Sequence, residues 1–111
     1  MMLHELTLNE LTAKLAAKEV SSRDAMQACL DRIDAVDGSI NAFMSIDRED
    51  ALGQADAADA ALAKGTTHAE QPLLGVPISP KDIFCVKDQP ANCSSKILGD
   101  FRSPYDGTVV R

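Results

Sequence analysis

Hydrophobic residues recur at helical spacing in the first part of the chain. Leu8, Leu11 and Leu15 stand at positions i, i+3 and i+7, which is the apolar stripe of an amphipathic helix. Thr7 precedes this stripe and a glutamate follows three residues later, the spacing of a capping box at a helix start. The pattern predicts a first helix over about residues 8–18.

A second helix is predicted to begin after Ser21, whose hydroxyl can cap it as Thr7 caps the first. Its apolar side repeats at helical spacing and comprises Met26, Cys29, Leu30 and Ile33. Gly38 is expected to end it, because glycine readily adopts the left-handed conformation found after helices. Residues 40–46 are expected to form a short extended connection.

The third predicted helix covers about residues 48–64. Acidic residues crowd its start and Lys64 stands at its end, which matches the helix dipole at both termini. A stripe of small side chains would permit close packing, and it consists of Ala51, Ala55, Ala58 and Leu62. Gly65 is expected to close the helix, and residues 65–72 have the composition of a loop.

The hydrophobic period changes after this loop, from Leu73 onward. Leu74, Val76 and Ile78 alternate with smaller residues, and a second apolar run covers residues 83–86; both runs predict strands. Two strands do not form a stable sheet by themselves. We therefore expect a helical region over residues 1–70 and the beginning of an α/β unit over residues 71–111.

Two shorter elements are expected near the end of the chain. Ser94 can act as the N-cap of a short helix, and the segment that begins at Asp106 resembles the start of a further element. The chain ends inside that element, so the sequence predicts a fragment of a longer protein.

Composition and charge narrow the class of protein. Of the 111 residues, 45% are hydrophobic and 25% are charged, as in ordinary globular domains. The net charge of −6 argues against direct nucleic-acid binding, which normally needs a basic surface. The sequence shows neither a signal peptide nor an apolar stretch of about 20 residues for a membrane span. We expect a cytoplasmic location.

The cysteines and histidines offer little chemistry. Cys29, Cys85 and Cys93 form an odd set without a C-x-x-C pair, which is typical of reduced cytosolic thiols. No histidine stands near them to activate a thiol nucleophile. His4 and His68 lie far apart, so no metal site is expected.

Lys81 is the candidate catalytic residue. It ends the apolar run from Leu74 to Ile78 and is followed by Asp82 and a second apolar run. If the amine lies in a water-poor pocket, desolvation favours its neutral form, which can act as a base. The alternative is a lysine at a strand end that reaches into solvent.

Several motifs around Lys81 resemble those of the amidase signature family of serine amidohydrolases. The lysine motif is Gly75-Val76-Pro77-Ile78-x-x-Lys81-Asp82, and it is followed by Asn92-Cys93-Ser94-Ser95-Lys96-Ile97-Leu98 and Ser103-Pro104-Tyr105-Asp106-Gly107-Thr108-Val109-Val110. Within the family these segments are similar to the amidase-type (A) component of the tRNA-dependent amidotransferases. The upstream segments His4–Thr7, Ser21-Ser22 and Asp37–Phe43 are similar to the N-terminal helices of that component.

The resemblance implies a fold and a reaction. The fold would be α/β, with N-terminal helices and the first strands of an α/β/α amidase domain with a mixed sheet, incomplete in this chain. Lys81 would be the base of a Ser-Ser-Lys relay that hydrolyses glutamine. The ammonia would convert Glu-tRNA(Gln) or Asp-tRNA(Asn) to its amidated form. The implied partners are amidotransferase subunits B and C and, through the complex, misacylated tRNA. ATP and Mg would serve the whole complex, with no cofactor bound by this chain.

The sequence departs from the family pattern in ways that leave alternatives open. No Gly-Gly-Ser-Ser-Gly run occurs, so both relay serines are missing and the chain alone is expected to be inactive. Pro80 stands where an ordinary strand residue is expected, which confines this strand end to an edge or bulge. Asp88 replaces a frequent glycine, and Asp82 could cap a turn or orient the lysine. The alternatives are a fragment of a stand-alone amidase for small amides and a helical interaction module without catalysis.

Overall fold

The computed structural model describes residues 2–111, which contain three α-helices. A short 3-10 turn at Leu3–Glu5 precedes α1 (Leu8–Ala16), α2 (Ser22–Ile40) and α3 (Arg48–Ala63). No described helix is both long and apolar enough to cross a bilayer.

Helix α1 begins as the sequence predicts. The Thr7 hydroxyl accepts a hydrogen bond from the Glu10 backbone N–H at 3.3 Å, and the Glu10 carboxylate accepts the Thr7 N–H at 2.8 Å. This reciprocal pair confirms the capping box. The helix ends at Ala16, two residues earlier than predicted, and Lys18 has a left-handed φ of 60°.

Helix α2 also starts at a capping box, in which the Ser21 hydroxyl accepts the Asp24 N–H at 3.0 Å. The prediction that Gly38 ends this helix is wrong, because the helix continues to Ile40. Asn41 adopts the left-handed conformation instead, at φ 56°, which asparagine tolerates better than most residues. The connection to α3 is correspondingly shorter than predicted.

Helix α3 agrees with its predicted bounds to within one residue. The Asp47 side chain accepts the Asp50 N–H at 3.0 Å, and Gly65 leaves the helix at φ 100°. Ala55 is buried, and the rest of the predicted small-residue stripe is partly buried. Helix α3 packs against α2, so the short side chains allow the close approach.

The described residues divide into two compact units. The first contains the chain up to Ala42 together with Asp47–Pro77, and the second contains Phe43–Ile46 and Ile78–Arg111. The core of the first unit is small. Leu11, Leu15 and Ala25 are buried, and the partly buried side chains against them are Leu6, Val20, Leu62 and Val76.

The two predicted strands do not form within residues 2–111. At the first, Gly75 turns the chain at φ 79° and the Val76 N–H bonds to the Leu73 carbonyl at 3.1 Å. At the second, a turn joins the Phe84 N–H to the Lys81 carbonyl at 3.0 Å. An extended segment needs a neighbouring strand to satisfy its backbone groups, and the described residues offer only two isolated bridges. The mixed sheet is therefore not seen in this chain.

The short helix predicted after Ser94 is also wrong. Cys93 and Ser94 both adopt left-handed backbone, at φ 53° and 58°, which is incompatible with the entry into a right-handed helix. Residues 95–100 form turns.

Candidate lysine site and its supporting segments

Lys81 lies in an exposed, irregular segment of the second unit. It follows Pro80 and opens the turn that ends at Phe84. Its amine makes neither a hydrogen bond nor an ion pair with any residue in the described range. The walls that a neutral lysine base requires are therefore not provided by residues 2–111, and the role of Lys81 stays a prediction.

Asp82, the next residue, is the most heavily bonded group in this unit. Its two carboxylate oxygens accept the backbone N–H groups of Asn92 at 3.3 Å and Ser94 at 2.9 Å. Its backbone carbonyl accepts the N–H of Cys93 at 3.3 Å. Three consecutive amides thus converge on one aspartate, and the segment after Lys81 is bound to residues 92–94.

A second set of backbone bonds joins residues 85–91 to residues 101–107. Ser103 is almost fully buried and exchanges bonds with two residues, accepting from the Asp88 N–H at 2.8 Å and donating to the Gln89 carbonyl at 3.1 Å. The Asp106 carboxylate accepts the Lys87 N–H at 2.8 Å. The three motif segments around Lys81, Asn92 and Ser103 are therefore connected in space.

Asp88 occupies a backbone conformation that favours glycine. Its φ is 65°, in the left-handed region that aspartate enters only at some energetic cost. Its carbonyl accepts a hydrogen bond from the Arg102 guanidinium at 2.8 Å. The turn at Asp88 thus keeps the geometry that a glycine would adopt there.

The two Ser-Ser pairs serve the backbone. The Ser22 hydroxyl donates to the Gly75 carbonyl at 2.8 Å, and the Ser21 hydroxyl caps α2. The Ser95 hydroxyl accepts the Ile97 N–H at 3.2 Å. These bonds explain both pairs without an oxyanion cradle or a nucleophile.

The cysteines and histidines show no catalytic arrangement among the described residues. Burial raises the pKa of the Cys29 thiol, which makes it a poor nucleophile. The Nε2 atom of His68 lies 2.9 Å from the Leu74 carbonyl, and its Nδ1 atom is buried without a protein partner. Residues 2–111 contain no group of three or more His, Cys, Asp or Glu side chains that could hold a metal ion.

Sequence reasoning missed several residues that hold this region together. Asn92, Ser103 and Asp106 were quoted only as parts of motifs, and each has a bonding role in the structure. Their common signal is that they follow the lysine motif in small polar segments between apolar residues. That signal does not reveal which atoms they bond, because the partners are 10 to 19 positions away.

Comparison with known proteins identifies the family. The family described as Amidase matches residues 24–111. The chain belongs to the amidase family. The match includes Lys81, Asp82 and all the segments that surround them in the second unit, so the lysine region is part of the family domain.

Curated relatives of this amidase chain are the A component of one kind of enzyme, glutamyl-tRNA(Gln) amidotransferase. The relative from Desulfatibacillum aliphaticivorans is 46% identical over 110 residues, which is 99% of this chain and 22% of the relative. Those of Chromohalobacter salexigens and Geobacter sulfurreducens are 49% and 50% identical over 97% and 99% of this chain, again covering 22% of the relative.

The match corresponds to the N-terminal region of those relatives. The chain thus spans about a fifth of the length of the curated relatives it matches. No solved structure matches it.

Proposed function

We propose that this chain forms the N-terminal part of the A component, the glutamine-hydrolysing subunit, of a tRNA-dependent amidotransferase. The whole subunit would hydrolyse glutamine and supply ammonia for the conversion of Glu-tRNA(Gln) to Gln-tRNA(Gln), or of Asp-tRNA(Asn) to Asn-tRNA(Asn). One observation carries the proposal: identity of 46–50% extends over 97–99% of the chain to several curated relatives of that type.

In this proposal Lys81 is the base of the relay. Its unprotonated amine takes a proton, through a bridging serine, from a nucleophilic serine that attacks the glutamine side-chain amide. Backbone N–H groups stabilise the oxyanion, ammonia leaves, and water then releases the acyl group. Both serines and the oxyanion donors lie outside this chain, whose own contribution is the lysine and its support.

The remaining expectations belong to the whole enzyme. We infer that subunits B and C are the partners, that misacylated tRNA binds through the complex, and that ATP and Mg²⁺ serve the amidation step in the cytoplasm. We assign residues 1–70 to an N-terminal helical region and residues 71–111 to the start of the amidase core.

The surface of the second unit supports a completed α/β/α fold with a mixed sheet. Large apolar side chains are exposed there, including Ile78, Ile83, Ile97 at 95% and Val109 at 76%. Contiguous apolar exposure of this kind is uncommon on a finished domain. Further polypeptide of the same protein is the covering that the proposal requires.

The experiment uses a chimera of the Geobacter sulfurreducens relative in which this chain replaces the matching 110 residues. The chimera is purified with its partner proteins and assayed for ammonia release from glutamine. Lys81→Met should reduce kcat by about a thousandfold or more, because loss of a general base typically costs 100- to 10,000-fold. Lys96→Met, an exposed lysine in the same unit, is the matched control.

Two results would contradict the proposal. Full activity of the Lys81→Met chimera would remove this lysine from the reaction. Measurable glutamine hydrolysis by the isolated 111-residue chain would show that the missing serines are not needed.

A further inference from the structure

Asp82 holds the backbone on both sides of its own turn, and we propose that it is the positioning residue for Lys81. In this inference the Asp82 carboxylate fixes the main chain at the lysine by binding residues 92–94. The inference rests on the proposed function, because it assumes that the Lys81 amine acts on a relay serine.

The geometry of residues 92–94 requires an external support. Cys93 and Ser94 are consecutive left-handed residues, and this conformation costs about 1–2 kcal/mol for a residue with a side chain. Strained backbone of this kind persists only where the surroundings determine it. The surroundings here are the three bonds to Asp82, two of which end on a charged carboxylate.

A carboxylate is the right group for this purpose. Hydrogen bonds to an ionised acceptor are about twice as strong as those between neutral groups. The two oxygens accept from different residues, Asn92 and Ser94, so the side chain spans the left-handed pair. The Asn92 amide oxygen adds a further bond to the Ser94 N–H at 2.9 Å.

Lys81 depends on this support because its own side chain has none. The amine contacts no described partner, so its position is set by the main chain at residues 80–82. The Phe84 N–H fixes the Lys81 carbonyl at 3.0 Å, and the carboxylate of the next residue fixes the other end of the turn. A displacement near 1 Å of a reacting group can cost about 100-fold in rate.

The first test measures the geometry in the 111-residue chain. In Asp82→Asn one carboxylate oxygen becomes an NH₂ group, which donates and cannot accept. We expect amide exchange at Asn92 or Ser94 to accelerate by about tenfold, measured by NMR. Asp100→Asn, an exposed carboxylate in the same unit, is the control. Unchanged exchange in Asp82→Asn would overturn the inference.

The second test measures the role, in the chimera with its partner proteins. We expect Asp82→Asn to lower kcat for glutamine hydrolysis by about 10- to 100-fold with KM changed by less than about twofold. Asp82→Glu, which keeps both acceptor oxygens, should recover much of the loss. Rates are normalised to assembled complex and thermal unfolding is compared, so that a smaller amount of folded enzyme is not read as a lower kcat.

The outcomes separate the two proposals. If Lys81→Met stays active, the proposed function fails whatever Asp82 does. If Lys81→Met is inactive while Asp82→Asn keeps full kcat, only the positioning role fails. If Asp82→Asn lowers kcat and Asp82→Glu restores none of it, the paired acceptor oxygens are not the cause and the inference also fails.

Discussion

Asp59 on α3 accepts the backbone N–H of Ser22, the first residue of α2, at 2.6 Å across 37 positions of the chain. The other carboxylate oxygen accepts the Arg23 N–H at 3.1 Å. These amides belong to the first turn of the helix, where backbone N–H groups have no partner within the helix. A side chain from one helix therefore caps another and fixes the contact between α2 and α3.

Replacement of Asp59 should destabilise the first unit. Asp59→Asn removes the charge and one of the two acceptor oxygens, and we expect a loss of about 1–2 kcal/mol in the free energy of unfolding. Asp56→Asn is the matched control, since Asp56 makes an exposed ion pair with Arg23. Such pairs contribute about 0–1 kcal/mol. Chemical unfolding followed by helix circular dichroism measures both, and equal losses would contradict the capping role.

Two glycines should respond in opposite directions to the same substitution. At Gly75 a Cβ would lie 3.2 Å from the Ser22 Cβ and 3.4 Å from the Leu15 Cδ1, with φ at 79°. Gly75→Ala should therefore destabilise by about 1–3 kcal/mol, through strain and overpacking.

Gly53 lies within α3 and has open space where a Cβ would stand. Gly53→Ala should stabilise by about 0.5–1 kcal/mol, because alanine is the better helix former. Thermal unfolding of both variants gives the comparison. A destabilised Gly53→Ala, or a neutral Gly75→Ala, would refute the packing described for these positions.

The start of α1 should depend on pH through Glu10. Hydrogen bonds from the Thr7 backbone N–H, and then from its hydroxyl, hold the pKa of Glu10 below its usual value, and the charge of Lys14 adds a smaller lowering. The usual value is about 4.3. A lowered folded-state pKa means that this contribution to stability is complete above the usual value and is lost as pH falls through the lowered one.

The measurement is the ¹³C titration of the Glu10 carboxyl group by NMR. Thr7→Val should return the Glu10 pKa toward its usual value, although the backbone bond can persist in part. Lys14→Gln should raise it less, because the lysine is the smaller cause. A larger effect from Lys14→Gln than from Thr7→Val would show that the capping box is not the main cause.

The thiols should differ in reactivity. Cys93 is exposed, whereas burial raises the pKa of Cys29. The thiolate is the reactive form, so at pH 8 iodoacetamide should modify Cys93 before Cys29, as peptide mass spectrometry can show. Denaturation in guanidinium should bring the two rates together. Faster modification of Cys29 in the folded chain would contradict its burial.

The helical region followed from local sequence because its signals act over short distances. Thr7, Ser21 and Asp47 cap helices through bonds to residues three positions later, so spacing alone predicted the helix starts. The end of α2 was predicted wrongly, since Gly38 and Asn41 can both follow a helix and the sequence does not say which does. The Asp37 carboxylate accepts the Ala42 N–H at 2.7 Å, a bond that favours the later end.

The lysine region was predicted less well. Alternation at Leu74, Val76 and Ile78 predicted a strand, but a strand depends on hydrogen bonds to a neighbour that residues 2–111 do not provide. The motif around Lys81 and Asp82 was recognised from residue types. Which of two roles Asp82 has, capping or orienting, could not be decided without its partners at Asn92 and Ser94.

The sequence by itself determined the three helices, their caps and membership of the amidase family, because these depend on neighbouring residues or on residue identity. Only the tertiary structure decided that Asp59 caps α2 and that three amides converge on Asp82. Those contacts join positions 10 or more residues apart. Their formation depends on how the chain folds back on itself, which the spacing of hydrophobic and polar residues does not encode.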